Sequence, residues 1–272
     1  MKNKGALIVA VIIGIIMGGI LGIKASHVSV DSQPLAKTSP TLPLTQIKND
    51  FCLDVPVLFY HHIQPLDKAD EFGERSLTVA PQNFQRHIAY LLNKGYTIVS
   101  LGELVAHLRN RLKMEKTVVI TLDDGYEDNY IYAYPIAKKY NIPITIAAPT
   151  WYVGRFERHL TWKQIKEMYL SGNVHFVSHS FSHRSLAIDD DDEVLDQQIN
   201  EPLKALENTL GKQSKILVYP YGRYNDHVMK YLEKIGYQAA FTVEKGTYHC
   251  LSTIFHLPRL RIGNAGPSVY GI

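Results

Sequence analysis

The chain has 272 residues, 46% of them hydrophobic and 20% charged, with a formal net charge of +3 at pH 7. That length suits one large catalytic domain or two small ones, and the composition is that of a folded globular protein, not a disordered or fibrous one. The small net charge and the lack of any Lys/Arg-rich block argue against a nucleic-acid partner.

Lys2 and Lys4 precede an uncharged apolar run from Gly5 to Ile23. At helical rise this run spans roughly 28 Å, enough to cross a bilayer core. Lysines ahead of it favour an N-terminus held in the cytoplasm and export of the rest. Residues 1–24 therefore read as a membrane anchor, or as a signal peptide cut near Lys24-Ala25-Ser26, and either places the remainder outside the cytoplasm. Residues 25–50 are polar, contain Pro, Ser and Thr, and lack periodicity, so they read as a flexible linker to a domain over 51–272. Cys52 and Cys250 are the only cysteines; in an oxidising compartment they are expected either to pair or to stay as two separate buried thiols.

From residue 51 onward strand-like and helix-like patterns alternate. Val55–Tyr60 is a short apolar run, hence a buried strand, and Pro81–Asn93 has helical spacing behind a proline start. Tyr96–Val99 reads as a strand and Leu101–Leu112 as a helix. Thr117–Leu122, β-branched and apolar, reads as a buried parallel strand. Tyr130–Tyr140 is helical, Ile144–Ala148 a strand, and Thr161–Ser171 a helix with a threonine cap. Val174–Val177 is a strand, Glu193–Leu210 a long amphipathic helix, Ile216–Tyr219 a strand, Asp226–Ile235 a helix and Ala239–Val243 a strand. Regular alternation without internal repeat or second linker predicts a single α/β domain, most simply a distorted (β/α) barrel of about eight strands or fewer. Chemistry in such a barrel gathers where strands end.

Three segments put reactive groups at those ends. In Thr121-Leu122-Asp123-Asp124-Gly125, adjacent carboxylates at a buried strand end are costly without a positive partner. Successive strand side chains point opposite ways, so the pair can be split between a metal and a water; the alternative is a helix cap and an Asp-Gly turn. In Ser178-His179-Ser180-Phe181-Ser182-His183, histidines at i and i+4 share one face of a helical turn and can reach one ion. With Asp124 they form a two-His, one-carboxylate set with open positions, for which zinc is the default and cobalt, nickel or iron also fit. Tyr219-Pro220-Tyr221-Gly222 fixes a tight loop that can expose the Tyr221 N–H to an oxyanion, or is an ordinary turn.

Taken in this order, Asp-Asp-Gly, the His179–His183 pair and Pro220-Tyr221-Gly222 resemble the polysaccharide deacetylase family (carbohydrate esterase family four, the NodB-type domain). Val55–His62, Leu160-Thr161-Trp162 and Leu257–Ile262 are similar to it as well, so the resemblance covers about residues 55–262. It implies a metal-dependent hydrolase that removes N-acetyl groups from a glucosamine-containing polysaccharide, either peptidoglycan or an exported polymer. The alternatives are an O-acetyl polysaccharide esterase or a carbohydrate-binding barrel without catalysis. By the resemblance, Asp123 is the general base, Asp124, His179 and His183 hold the divalent metal, and Tyr221 supplies an oxyanion donor. A family arginine two residues before the proline is replaced here by Val218; Arg259 is the expected substitute partner of Asp123, ahead of Arg261. The general acid is expected at His256, with His249 in reserve. His61, Pro220 and Trp151 are candidate substrate contacts, and Trp162 is read as core. The chain is expected to act as a monomer on an acetylated polysaccharide, at the membrane through its N-terminal helix or as a secreted protein.

Overall fold

A computed structural model describes residues 50–272; the expected anchor and nearly all of the expected linker lie outside the described residues. The elements in chain order are β1 (Cys52–Asp54), β2 (Val57–Tyr60), β3 (His62–Ile63), α1 (Leu66–Glu71), β4 (Thr78–Val79), α2 (Pro81–Asn93), β5 (Thr97–Val99) and α3 (Leu101–Arg109). There follow β6 (Thr117–Leu122), α4 (Tyr134–Tyr140), β7 (Ile144–Ala148), α5 (Trp162–Leu170), β8 (Val174–Ser178), α6 (Asp192–Leu195) and α7 (Glu201–Leu210). The chain ends with β9 (Ile216–Val218), α8 (Asp226–Lys234), β10 (Ala239–Lys245), β11 (Tyr248–Cys250) and β12 (Leu257–Arg261). Among the described residues no helix is long and apolar enough to cross a membrane.

Seven parallel strands close on themselves in the order β2-β12-β10-β9-β8-β7-β6, the ring being completed by the β2–β6 pair, Val57↔Val119 to Tyr60↔Leu122. The expected α/β barrel is therefore present, with seven strands in the ring. Strand β5 stands outside it, paired with the first half of β6 (Thr97↔Thr117 to Val99↔Val119), while β7 takes the last part of the same strand. All of these pairings are parallel and buried on both faces, which is why β6 (TVVITL) and β7 (ITIAA) read as continuous apolar runs.

Period two sorts the strand side chains between two layers. Val57, Val119, Ala147, Val177, Val218, Phe241 and Leu257 form one core cluster, with Leu101, Leu104 and Leu108 of α3 packed on it. The alternate residues Leu58, Tyr60, Ile120, Leu122, Ile144, Ile146 and Phe176 face α2, α4 and α5 in a second cluster, and α6–α8 cover β9 and β10 in a third. Helix starts follow their caps: Ser100 on α3, Thr161 with Gln164 in a capping box on α5, and Asn225 on α8.

The long helix expected over Glu193–Leu210 is divided. A wide π turn, Asp196–Asn200, separates α6 from α7 just ahead of Pro202. Proline lacks an N–H and crowds the carbonyl four residues back, here that of Gln198. That carbonyl accepts instead from Phe181 N–H at 2.9 Å. Three features had no counterpart in the periodicity: the β3–β4 pair, β12 as a ring strand, and the antiparallel ribbon of β1 with β11. In that ribbon Cys52 faces Cys250 and the two form a disulfide, which decides between the pairing and the separate thiols.

Candidate active site

In four of the barrel strands the inward ladder leads to reactive side chains at the C-terminal end. Val57 and Phe59 lead to His61, Val119 and Thr121 to Asp123, Val177 to His179, and Leu257 to Arg259 and Arg261. These residues meet around a cleft of ≈ 630 Å³ lined by Phe59, His61, Asp123, Asp124, His179, His183, Tyr221 and Arg261, with Tyr126, Tyr152, His159 and Tyr219 completing its walls.

Asp123 and Asp124 diverge, because the backbone turns left-handed immediately after Asp123. Asp124 has φ 71° and Gly125 φ 64°. A Cβ at Gly125 would also stand 3.1 Å from the Ala148 side chain, so glycine suits this turn twice over. Asp123 continues the barrel ladder inward, where it meets the fully buried Arg259 in a two-bond pair, Nη1–Oδ1 2.8 Å and Nη2–Oδ2 2.7 Å. Arg259 is itself held by donation from Nε to the Thr242 carbonyl (2.9 Å) and by the Phe59 ring 4.4 Å below it. Burial pushes the Asp123 carboxyl up, but the charge and hydrogen bonds of Arg259 outweigh that and leave its pKa below the ordinary carboxylate value. Arg261, the other expected partner, donates instead to the Ser76 carbonyl.

Asp124 turns the other way, toward the two histidines. Its Oδ1 lies 3.2 Å from His179 Nε2 and 3.0 Å from His183 Nε2. The helical turn expected from the i, i+4 spacing does not form. The segment after β8 is a loop in which Ser180 (φ 64°) and His183 (φ 57°) are left-handed, and Ser180 Oγ accepts from His183 N–H at 3.0 Å. Gln198, on the π turn, fastens this loop from behind: its carbonyl takes Phe181 N–H and its side-chain oxygen takes Ser182 N–H at 3.2 Å. His179 Nδ1 lies 2.7 Å from the Val218 carbonyl, which can only accept, so the proton sits on Nδ1 and the Nε2 lone pair faces Asp124.

The donor set fits a divalent ion. Ligand atoms of Asp124, His179 and His183 lie within 4.8 Å of one another, and the buried Asp124 Oδ1 has no hydrogen-bond donor. Burial opposes charge on both Asp124 and His179, yet their mutual attraction holds the Asp124 pKa well below and the His179 pKa above the usual values. The cluster thus calls for positive charge at the point between them, which a cation supplies with two neutral imidazoles.

Tyr221 is left-handed (φ 58°, ψ 9°) and exposed, its ring 4.7 Å from that of His183. The nearby Val218 carbonyl is already taken by His179, and among the described residues the Tyr221 N–H donates to no acceptor. Gly222 makes this loop possible: a Cβ there would lie 2.5 Å from Val243 Cγ2 and 2.7 Å from Val243 N.

The other expected residues are placed differently. His256 does not line the cleft: it precedes the first residue of β12, at the end remote from Arg259 and Arg261, and its ring lies against Tyr224 at 6.0 Å. His249 is wholly buried on β11 and bonds the Val55 carbonyl. Pro220 is buried and does not line the cleft, although its neighbours Tyr219 and Tyr221 do. Trp151 also misses the cleft; its ring packs on Phe181 at 5.2 Å under Arg155, and the neighbouring Tyr152 lines the cleft instead.

His61 does line it, near both aspartates; burial lowers its pKa against their opposing pull. The adjacent His62 lies behind the wall, with Nδ1 2.6 Å from Asp128 and its ring stacked on Tyr126. Tyr152, an aromatic at a loop end that the sequence offered for stacking on a sugar ring, does line the cleft, whereas sequence reasoning missed Gln198, Tyr126 and His159. A strand-ladder count would not have found these three, since loops and a π turn bring them in.

A family profile described as polysaccharide deacetylase matches residues 111–240. The Bacillus subtilis (strain 168) protein YxkH, whose name places it among polysaccharide deacetylases, is 34% identical over 221 residues, covering 79% of this chain and 74% of that protein. A poly-β-1,6-N-acetyl-D-glucosamine N-deacetylase of Staphylococcus epidermidis is 27% identical, over 76% of this chain and 78% of its own length. Among solved structures, the Streptococcus pyogenes deacetylase PplD in complex with acetate superposes with TM-score 0.71 at 28% identity, over 79% of this chain and 95% of that one. BC0361, a polysaccharide deacetylase from Bacillus cereus, superposes with TM-score 0.70 at 26% identity, over 81% of this chain and 69% of that one.

Proposed function

This chain belongs to the polysaccharide deacetylase family, and from that premise we propose that it hydrolyses N-acetyl groups of a glucosamine-containing polysaccharide, releasing acetate and a free amine. The observation that carries this reading is the split pair of aspartates, one on a buried arginine and one on two histidines, at the floor of a single cleft. The named activity of the staphylococcal relative supports the choice of an N-acetylglucosamine polymer as substrate.

Asp124, His179 and His183 would hold the metal, zinc in our reading, which when bound polarises the acetyl carbonyl and acidifies water. Asp123, kept ionised by Arg259, accepts the proton of the attacking water. The Tyr221 N–H donates to the carbonyl oxygen as it gains charge, from a backbone already fixed for that purpose by Pro220 and Gly222. The proton for the departing amine comes from His61 in place of His256: it lines the cleft, and its lowered pKa makes the imidazolium a readier donor.

The reading extends to location. A disulfide is stable in an oxidising compartment, which supports action outside the cytoplasm, with residues 1–24 as anchor or signal peptide, 25–50 as linker and 51–272 as catalytic domain. The described chain enters the barrel through β1, ahead of β2 and so at the pole opposite the cleft.

The test is mass spectrometry of N-acetylglucosamine oligomers incubated with the zinc- or cobalt-loaded protein. Successive losses of acetyl are expected, abolished by a chelator and by Asp123→Asn. Folded, metal-loaded protein that leaves every oligomer intact would overturn the reading.

A further inference from the structure

Two loops that build the cleft turn their alternate residues outward into a second hollow. The loop after β7 sends Tyr152 into the cleft but Thr150 and Arg155 to the other side, and the loop after β8 does the same with His179 and His183 against Phe181. The second hollow has a volume of ≈ 350 Å³ and is completed by Trp162 at the start of α5 and Glu201 at the start of α7. The two hollows are thus lined by residues of the same two loops.

Its lining is unlike a packing defect. Thr150 is only 3% exposed, yet its Oγ1 has no hydrogen-bond partner. A buried hydroxyl without a partner is costly, and Thr150 is one of the residues that line the hollow. Arg155 lies over the Trp151 ring at 4.1 Å and donates one bond, to the Trp151 carbonyl at 3.3 Å, which leaves further N–H groups available. Glu201 receives Lys204 on Oε1 at 2.8 Å and keeps its other oxygen open. Trp162 and Phe181 supply aromatic surface, and Trp151 adjoins Phe181 at the rim. Opposite charges balance, so neither an anion nor a cation is favoured. A neutral ring with one apolar face and an edge of hydroxyl and amide groups matches the aromatic surface of Trp162 and Phe181 and the open groups of Arg155 and Glu201.

We propose that this hollow is a second carbohydrate subsite, which holds an N-acetylglucosamine unit of the same polymer whose other unit lies in the cleft. This rests on the deacetylase reading for the identity of the polymer. Because both sites flank one loop, a chain long enough to pass over it engages both, and the second contact raises the effective concentration of the first.

The experiment uses the full zinc-loaded chain and N-acetylglucosamine oligomers of graded length. The wild type should gain roughly tenfold in kcat/KM between short and long oligomers, mostly through KM. Thr150→Val combined with Glu201→Gln should remove most of that gain while leaving the shortest substrate and zinc affinity unchanged. Equal length profiles for wild type and variant, or a wild type indifferent to length, would overturn the subsite and leave the deacetylase reading intact. Calorimetric titration of the longest oligomer into the metal-free full chain separates the remaining cases. Binding that the double variant loses, without acetate release by the wild type, would sustain the subsite and sink the deacetylase reading. Absence of both binding and acetate release would sink both.

Discussion

Arg259 and Asp123 are both buried, one opposite the other inside the upper barrel, so their attraction is set against the cost of taking two charges out of water. Removing one member strands the other. Arg259→Ala should therefore cost about 3–5 kcal/mol of stability in urea unfolding and reduce deacetylation strongly. The double change Arg259→Met with Asp123→Asn should recover much of the stability and none of the activity, which separates the structural from the chemical use of the pair. His61 invites a different test. An aryl acetate has a leaving group that departs without a proton, whereas an N-acetyl sugar does not. His61→Gln should thus slow amide hydrolysis by roughly 10²-fold or more while sparing the aryl ester; equal losses on both would assign His61 to binding.

At the scale of elements, the loop that carries His179 and His183 depends on a helix it does not belong to. Pro202 frees the Gln198 carbonyl, and that carbonyl with the Gln198 amide oxygen secures Phe181 and Ser182 between the two histidines. Gln198→Ala should leave the fold intact and weaken zinc binding about tenfold, measured by competition with a chromogenic chelator. Unchanged zinc affinity would mean that Ser180 and the Val218 carbonyl position the histidines unaided. The sequence displayed the strands β6, β7 and β8 and the cap of α5 clearly, because burial on both faces and a side-chain cap leave local marks. It displayed Asp123 and Asp124 for the same reason, as charges at the end of an apolar run. The π turn could not be seen, since its residues follow ordinary helical spacing and only the later use of the freed carbonyl explains it. His256 does not line the cleft, because nearness in sequence to Arg259 says nothing about which end of a strand a residue occupies.

The whole molecule carries buried histidines unconnected with the cleft. His249, wholly enclosed beneath the β1–β11 ribbon, is pushed by burial down to about 4, against the pull of the Val55 carbonyl. A histidine that is neutral when folded and titrates near 6.5 when unfolded gives stability that is complete above pH 6.5 and lost as pH falls toward 4. That one group accounts for about 3 kcal/mol of acid lability. Urea midpoints measured between pH 7.5 and 4.5 should fall accordingly, and His249→Gln, which keeps a donor for the Val55 carbonyl, should flatten the slope. The barrel was legible as a class from alternation alone, but its closure was not. Closure depends on β12 fitting between β10 and β2, and the apolar pattern of Leu257–Arg261 is broken by Pro258, Arg259 and Arg261.

That last strand has a consequence in time. Asp123 and the arginine that pairs with it are 136 residues apart in sequence, and the ring of strands stays open until β12 arrives. A chain emerging from its N-terminus carries both aspartates and both histidines well before the arginine that pairs with Asp123. Until β12 is made, Asp123 lacks its guanidinium partner and the ring lacks one strand, so the cleft is assembled only as the barrel closes.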